Sequence, residues 1–143
     1  MIQYPIEFSS STESMGGMTS LWKTASPDGA SQCSIPKEFM GPGGALSPED
    51  LFNHALTNCF VATFKVYAEN SKLQFEKVTV ESKLIVDLDE RKKPVMKEFF
   101  LKAVISHPSN PDKAKLLAKK ACESGFILNS VKTMCHFDIH VES

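Results

Sequence analysis

The sequence has almost no excess of charge of either sign. Its 143 residues carry 16 lysines and arginines against 17 aspartates and glutamates, which gives a formal net charge of −1 at pH 7. These charges form neither a basic stripe nor an acidic tail. We therefore do not expect the protein to capture nucleic acid or an anionic lipid surface, because both need a concentrated basic patch.

Long apolar segments are also missing. No apolar run approaches the ~20 residues that a helix needs to cross a bilayer. Residues 1–8 have neither the basic start nor the apolar stretch of a secretory signal peptide. We therefore expect a cytoplasmic protein with no membrane partner.

Cysteine is sparse. The four cysteines are Cys33, Cys59, Cys122 and Cys135, and no two of them form a Cys-x-x-Cys pair. Four are too few for a secreted disulfide scaffold, and their spacing does not fit a structural zinc site. In a reducing compartment, a cysteine pair that reacts is more often transient and catalytic than structural.

One histidine-rich stretch is a weaker candidate for metal binding. His136, Asp138 and His140 alternate on one face of a predicted strand, a spacing that can hold a divalent ion. A solvated strand face explains the same alternation more simply. We therefore expect no metal ion and no bound cofactor.

The length and the 42% hydrophobic content match one ordinary domain over residues 1–143. The first 45 residues are short β-prone segments cut by turn residues, which predicts an antiparallel meander. Residues 18–25 and 30–35 flank Pro27-Asp28-Gly29. This triplet predicts a hairpin, because its proline fixes φ at the first corner and its glycine accepts positive φ.

Two helices divide the rest of the chain. The first helix is predicted to start at Ser47-Pro48-Glu49-Asp50. Serine can cap the free amides of a helix and proline suits the first helical position. The two acidic residues complement the positive end of the helix dipole. Its segment 55–64 is apolar on nearly every side, which is typical of a buried helix. Asn110-Pro111 predicts the start of the second helix, whose apolar residues recur at helical spacing.

Three predicted strands accompany the helices. Residues 78–89 alternate apolar and polar side chains, residues 95–106 return after a charged turn, and residues 131–141 alternate again. The resulting order is α+β rather than alternating βαβ, which argues against a doubly wound nucleotide-binding sheet.

Cys59 and Cys122 are the candidate reactive residues. Cys59 lies in the apolar segment of the first helix, and Cys122 lies on the apolar face of the second. Each taken alone is explained by core packing, because free cysteine behaves as a small hydrophobe. Two inward-facing thiols on different helices have another possible use, since a sulfenic acid on one can condense with the other into a disulfide.

The sequence resembles the OsmC/Ohr hydroperoxide reductases over nearly its whole length. The segments that carry the resemblance are Ser47-Pro48-Glu49-Asp50-Leu51-Phe52, Cys59-Phe60, a helix ending in Ala121-Cys122, and Asn129-Ser130-Val131-Lys132. The turn glycines Gly16-Gly17 and those of residues 41–44 are similar as well.

The resemblance implies an OsmC-like fold in which antiparallel sheets wrap around a buried central helix in an intertwined homodimer. It implies that Cys59 attacks the peroxide bond of an organic hydroperoxide, that Cys122 resolves the resulting sulfenic acid as a disulfide, and that Glu49 positions an activating cation. An external dithiol reductant, such as dihydrolipoyl groups, would return the electrons. The implied substrate pocket is apolar and lined by Phe52, Phe60 and Phe64.

Two positions depart from the family pattern. Gly16-Gly17 is followed by Met18 where the pattern has arginine, and the single arginine of the chain is Arg91, in a predicted turn. Lys37, or Arg91 of the partner subunit, is a candidate replacement. Cys122 is followed by Glu123-Ser124-Gly125, whereas the family has proline directly after its resolving cysteine.

Two functions from other classes stay open. The missing arginine at Met18 motivates a non-catalytic OsmC-like domain that binds an apolar ligand in the dimer cavity. A purely structural dimer module is the third possibility, and it predicts no cavity.

Overall fold

A computed structural model describes residues 2–143, which divide into two compact units with the boundary between Leu51 and Phe52. The α+β class is confirmed, with two helices and two three-stranded sheets. The single domain expected over residues 1–143 stays a prediction. In chain order the elements are β1 (Ser11–Glu13), β2 (Trp22–Ser26), β3 (Gly29–Cys33), α1 (Pro48–Asn70), β4 (Lys77–Leu88), β5 (Pro94–Ser106), α2 (Pro111–Ser124) and β6 (Met134–Glu142).

The first unit contains the predicted meander. Strands β1, β2 and β3 pair in that order, and both pairings are antiparallel. Ser26 pairs with Gly29, so that Pro27 and Asp28 are the two residues of the turn. The predicted hairpin is confirmed at the position where proline and glycine favour it.

Helix α1 begins with a reciprocal cap. The amide of Asp50 donates to Oγ of Ser47 at 3.0 Å, and the amide of Ser47 donates to Oδ2 of Asp50 at 2.9 Å. These two bonds satisfy amides that the helix itself leaves free. The helix begins at Pro48, as the sequence predicts.

The second unit is built on the sheet β4-β5-β6. Strands β4 and β5 form an antiparallel hairpin, with Lys77 opposite Ser106. Strand β6 pairs with β5 in parallel. The pairing begins with Glu98 opposite Met134 and ends with Ser106 opposite Glu142. This one pairing differs from the antiparallel pairing that the resemblance implies. The physical reason is α2, which lies between β5 and β6 in the chain and provides the crossover that parallel neighbours need.

Helix α1 contributes one buried face to the core of this unit. Its buried residues are Leu56, Cys59, Phe60, Phe64 and Ala68. Within the apolar segment 55–64, Asn58 and Ala62 are exposed in the single chain, so this segment is not covered on every side. Polar bonds also fix α1 to β4: Thr57 Oγ1 donates to Ser82 Oγ at 2.9 Å, and Ser82 Oγ donates to Asn53 Oδ1 at 3.0 Å.

Helix α2 has the predicted start and a glycine at its end. Oδ1 of Asn110 accepts a hydrogen bond from the amide of Lys113 at 3.1 Å, which caps the helix. At the other end, the amide of Gly125 donates to the carbonyl of Ala121 at 3.1 Å. The face that enters the core consists of Ala114, Leu117, Ala118 and Ala121.

Candidate active site

Cys59 lies in the middle of α1 and faces the core of the second unit. The residue is 8% exposed and belongs to the same buried cluster as Phe60 and Ala121. The Cys59 side chain is therefore nearly enclosed. The apolar sequence around Cys59 places it on this face, because the buried positions of α1 recur every three or four residues.

The end of α2 packs directly against this thiol. A β-carbon on Gly125 would lie 2.7 Å from Sγ of Cys59 and 3.2 Å from Cδ1 of Leu128. Gly125 has φ −61° and ψ 135°, a conformation that any residue adopts. Glycine is therefore needed at this position for close packing rather than for an unusual backbone conformation.

This contact makes Gly125→Ala a sharp test of the local geometry. We expect the added methyl group to lower the free energy of unfolding by about 1–3 kcal/mol, as overpacking in a filled core does. In a Cys59→Ala background, which removes Sγ, we expect most of that cost to disappear, with a coupling energy of about 1 kcal/mol or more. Urea titrations of the four proteins measure the coupling.

Gly29→Ala is the matched control, because a β-carbon there has no neighbour within 4 Å. We expect it to change the stability little. Equal costs of Gly125→Ala in the two backgrounds would contradict the contact.

Cys122 packs against the buried cluster that contains Cys59, but it lies at the edge of that cluster. It is half-buried and lies on the row of α2 that also contains Lys115 and Lys119. It lines a cavity of about 520 Å³ with these lysines, Glu123, and Phe137 and Ile139 of β6. Burial, followed by the neighbouring charges of Glu123 and Cys135, raises the pKa of Cys122 from 9.0 to about 12. All four cysteines are free thiols. The disulfide between Cys59 and Cys122 stays a prediction.

Cys135 lies near Cys122, on β6. Burial raises the pKa of its thiol as well. Its Sγ donates to the carbonyl of Thr133 at 3.5 Å. Both thiols are thus held protonated at neutral pH, because burial disfavours the charged thiolate.

Glu49 lies in the first turn of α1, in the first unit. Among the described residues, its Oε1 is buried and has no hydrogen-bond partner. Buried carboxylate oxygens are almost always hydrogen-bonded, so we expect a hydrogen-bond donor beside this atom. The predicted role of Glu49 in positioning a cation stays a prediction.

The three phenylalanines predicted to line a substrate pocket fall into two groups. Phe60 and Phe64 are 0% exposed and stack with their ring centroids 6.0 Å apart. Both rings belong to the buried core, and their assignment as pocket walls stays a prediction. Phe52 is half-buried and lines a cavity of about 510 Å³ together with Val95, Met96 and Val131.

The candidate basic groups lie on exposed or irregular segments. Arg91 is exposed in the turn between β4 and β5, where its amide donates to Oδ1 of Asp89 at 2.8 Å. Met18, at the position of the missing arginine, is 54% exposed in the first unit. Lys37 begins a 3₁₀ turn in the same unit. A replacement for the arginine stays a prediction.

The histidine-rich face of β6 is engaged in separate pairs. Nε2 of His136 lies 3.1 Å from Oε1 of Glu98, and Nε2 of His140 lies 2.9 Å from Oδ1 of Asp138. The ring of His136 also stacks on Phe100. Over residues 2–143, no three His, Cys, Asp or Glu side chains are grouped so as to hold a metal ion. In the same range, neither helix has the length and hydropathy of a membrane span.

Gly125 is the site residue that the sequence analysis did not single out. Its signal is weak, because glycine after the last turn of a helix is ordinarily explained as a cap. The only hint was the departure from the family pattern after Cys122. Its contact with Cys59 is tertiary and depends on how α2 packs against α1.

These features define an α+β protein with a buried thiol on one helix and the end of a second helix packed on it. Residues 41–140 match the family described as OsmC-like protein. A curated relative, the uncharacterized protein YmaD of Bacillus subtilis strain 168, is 30% identical over 103 residues, which are 69% of each chain. The chain belongs to the OsmC-like family, as the sequence predicts.

Solved structures share the fold. An OsmC-like protein of unknown function from Vibrio cholerae superposes with a TM-score of 0.81 at 20% identity, over 94% of this chain and 99% of that one. An organic hydroperoxide resistance protein, OsmC, from Legionella pneumophila superposes with a TM-score of 0.73 at 24% identity, over 97% and 100%.

Proposed function

We propose that the protein is a thiol-dependent peroxidase that reduces organic hydroperoxides, with Cys59 as the reacting thiol. The observation that carries this proposal is the position of Cys59, nearly enclosed on α1 and touching the end of α2, in a chain of the OsmC-like family. The Legionella protein of similar fold is named for organic hydroperoxide resistance.

In the first step, the Cys59 thiolate attacks one oxygen of the hydroperoxide. An S–O bond forms, the O–O bond breaks, and the alkoxide that leaves takes up a proton to become an alcohol. The sulfur gives up two electrons, which reduce the peroxide, and is itself oxidised to a sulfenic acid.

Ionisation of a buried thiol is favoured by a nearby cation. We propose that Glu49 orients such a cation. The cation would be a basic side chain, either Lys37 or, in a homodimer, Arg91 of the partner subunit. The support for this role is the buried Oε1 of Glu49, which has no partner among the described residues. We further propose a cytoplasmic location, where an external dithiol such as dihydrolipoyl groups can supply electrons.

An apolar substrate suits the surroundings of Phe52. Its cavity of about 510 Å³ has apolar lining from Phe52, Val95, Met96 and Val131, beside the polar or charged residues Asp89, Lys97, Ser130, Lys132 and Thr133. A cavity of this size accommodates an alkyl or aryl chain.

The test is the steady-state consumption of cumene hydroperoxide and of hydrogen peroxide with dithiothreitol as the electron donor. We expect faster turnover of cumene hydroperoxide, because its apolar group gains from burial. The proposal fails if neither peroxide is consumed faster than by free cysteine at the same thiol concentration.

A second candidate is non-catalytic binding of an apolar ligand, which the same cavity beside Phe52 supports. Denaturing mass spectrometry of organic extracts from the purified protein distinguishes the two. A stoichiometric lipid that Cys59→Ser retains, together with no peroxide turnover, would favour binding.

A further inference from the structure

The hydroxyl of Tyr67 joins the second half of α1 to the last turn of α2. It is hydrogen-bonded to Oγ of Ser124, and the same Oγ donates to the carbonyl of Lys120 at 2.7 Å. A serine hydroxyl carries a single proton, so Ser124 accepts from Tyr67 while it donates within its own helix. Tyr67 is therefore the donor that fastens α1 to this turn of α2.

The ring of Tyr67 is held by contacts that do not involve its hydroxyl. Nζ of Lys120 lies 4.9 Å from the ring centroid, which is a cation–π distance. The ring also packs against the buried cluster that contains Cys59. We therefore expect Tyr67→Phe to remove the hydrogen bond and to leave the ring in place.

The residue that follows Ser124 is Gly125, whose backbone packs on Cys59. A β-carbon on Gly125 would lie 2.7 Å from Sγ of Cys59, so there is no room for a side chain between them. Helix α2 ends at Ser124, and Tyr67 lies about two helical turns beyond Cys59 on α1. The bond from Tyr67 to Ser124 thus fixes the point at which the chain leaves α2 and meets the thiol.

We infer that Tyr67 is a positioning residue for Cys59, because through Ser124 it holds the end of α2 against the thiol. Its effect on peroxide reduction rests on the proposed function, whereas the packing itself does not. The Cys59 thiolate must approach the O–O bond in a defined direction, and reaction rates fall steeply when such an alignment is lost. A loosened end of α2 changes this alignment without changing the chemistry of the sulfur.

The first experiment measures the alkylation of Cys59 by iodoacetamide in the reduced, folded protein, followed by peptide mapping. Cys59 is nearly enclosed, so we expect it to react when the end of α2 lifts away from it. The bond between Tyr67 and Ser124 exists only in the closed form. Its loss in Tyr67→Phe should therefore raise the open fraction, and with it the alkylation rate, by about three- to tenfold.

Ser124→Ala should give a rise of similar size, because it removes the acceptor of the same bond. The double variant should react no more than about twofold faster than either single variant, since the two residues act through one contact. Rises that multiply in the double variant would contradict this coupling.

Thr57→Val is the matched control. It removes the bond from α1 to Ser82 of β4 and leaves the end of α2 untouched. We expect Cys59 in this variant to be alkylated within about twofold of the wild-type rate, and urea titrations show whether the variants lose similar global stability. An unchanged rate in Tyr67→Phe, or an equal rise in Thr57→Val, would overturn the inference.

The second experiment measures the second-order rate constant for the oxidation of Cys59 by cumene hydroperoxide in a single turnover. We expect a loss of about fivefold or more in Tyr67→Phe and in Ser124→Ala. Ser124→Thr should stay within about twofold of the wild type, because a threonine hydroxyl makes the same bonds at this position. Equal losses in Ser124→Thr and Ser124→Ala, or a normal rate in Tyr67→Phe, would contradict the positioning role.

The two proposals fail in different ways. If Cys59 of the wild type is not oxidised by the peroxide, the proposed peroxidase function fails, and the alkylation rates alone decide the role of Tyr67. If Tyr67→Phe matches the wild type in both experiments, the peroxidase function stands and the positioning role fails.

Discussion

Replacing Cys59 by serine is expected to lower the rate of cumene hydroperoxide reduction by at least about a thousandfold, to the level of the uncatalysed reaction. A serine hydroxyl is a far weaker nucleophile than a thiolate and cannot form a sulfenic acid. The substitution is nearly isosteric, so the contact with Gly125 survives it. The rate of peroxide loss under saturating dithiothreitol measures the effect.

Cys135→Ser is the matched control for this experiment. Cys135 is half-buried on β6, so the same chemical change is made at a thiol that has no assigned role. We expect its rate to stay close to that of the wild type. Equal losses in Cys59→Ser and Cys135→Ser would point to a general effect of removing thiols and would contradict the assignment of Cys59.

Cys122 is expected to be alkylated by iodoacetamide far more slowly than an exposed thiol. A thiol with a pKa of about 12 has about a thousandth of the thiolate, at neutral pH, of one with a pKa of 9.0. Its greater intrinsic nucleophilicity offsets part of this deficit, which leaves a rate lower by about fiftyfold. The rate should rise steadily from pH 7 to pH 10 without a plateau, as quantified by peptide mapping.

The same shift predicts how Cys122 affects stability. Its thiol is neutral in both states below pH 9, so its contribution is fully present there. Between 9.0 and about 12, the unfolded chain ionises while the folded chain stays protonated, and the free energy of unfolding therefore falls as the pH rises.

The control for the alkylation experiment is the same reaction in guanidinium chloride, where burial is lost. There, the alkylation rate of Cys122 should level off above pH 9. A plateau near pH 9 in the folded protein would contradict the burial of Cys122.

Local chemistry made much of the fold predictable. Ser47 and Asp50 cap α1 as their types and spacing require, and Asn110 does the same for α2. The hairpin at Pro27-Asp28 forms for an equally local reason. Each of these signals acts within four residues of the chain, so sequence alone is enough to find it.

The direction of β6 was not predictable in the same way. Alternation along residues 134–142 fixes which side chains face the core, but it is identical for a parallel and an antiparallel neighbour. The pairing of β6 with β5 follows from where α2 returns the chain.

The site shows the same division between local and tertiary information. Cys59 was found because a thiol in an apolar helix stands out in the sequence. The core positions of Phe60 and Phe64 depend on which neighbours cover them, and the contact of Gly125 depends on the packing of α1 and α2. Helical periodicity gave Cys122 an inward face, and the residue packs against the buried cluster, while only its tertiary surroundings leave it half-buried.

The most direct test of the role of Cys59 is to treat the fully reduced protein with one equivalent of cumene hydroperoxide in the presence of dimedone, which traps sulfenic acids, and to map all four cysteines by mass spectrometry. We predict that the dimedone adduct forms on Cys59, while Cys33, Cys122 and Cys135 remain free thiols. An unmodified Cys59 beside an oxidised cysteine elsewhere would contradict the assignment.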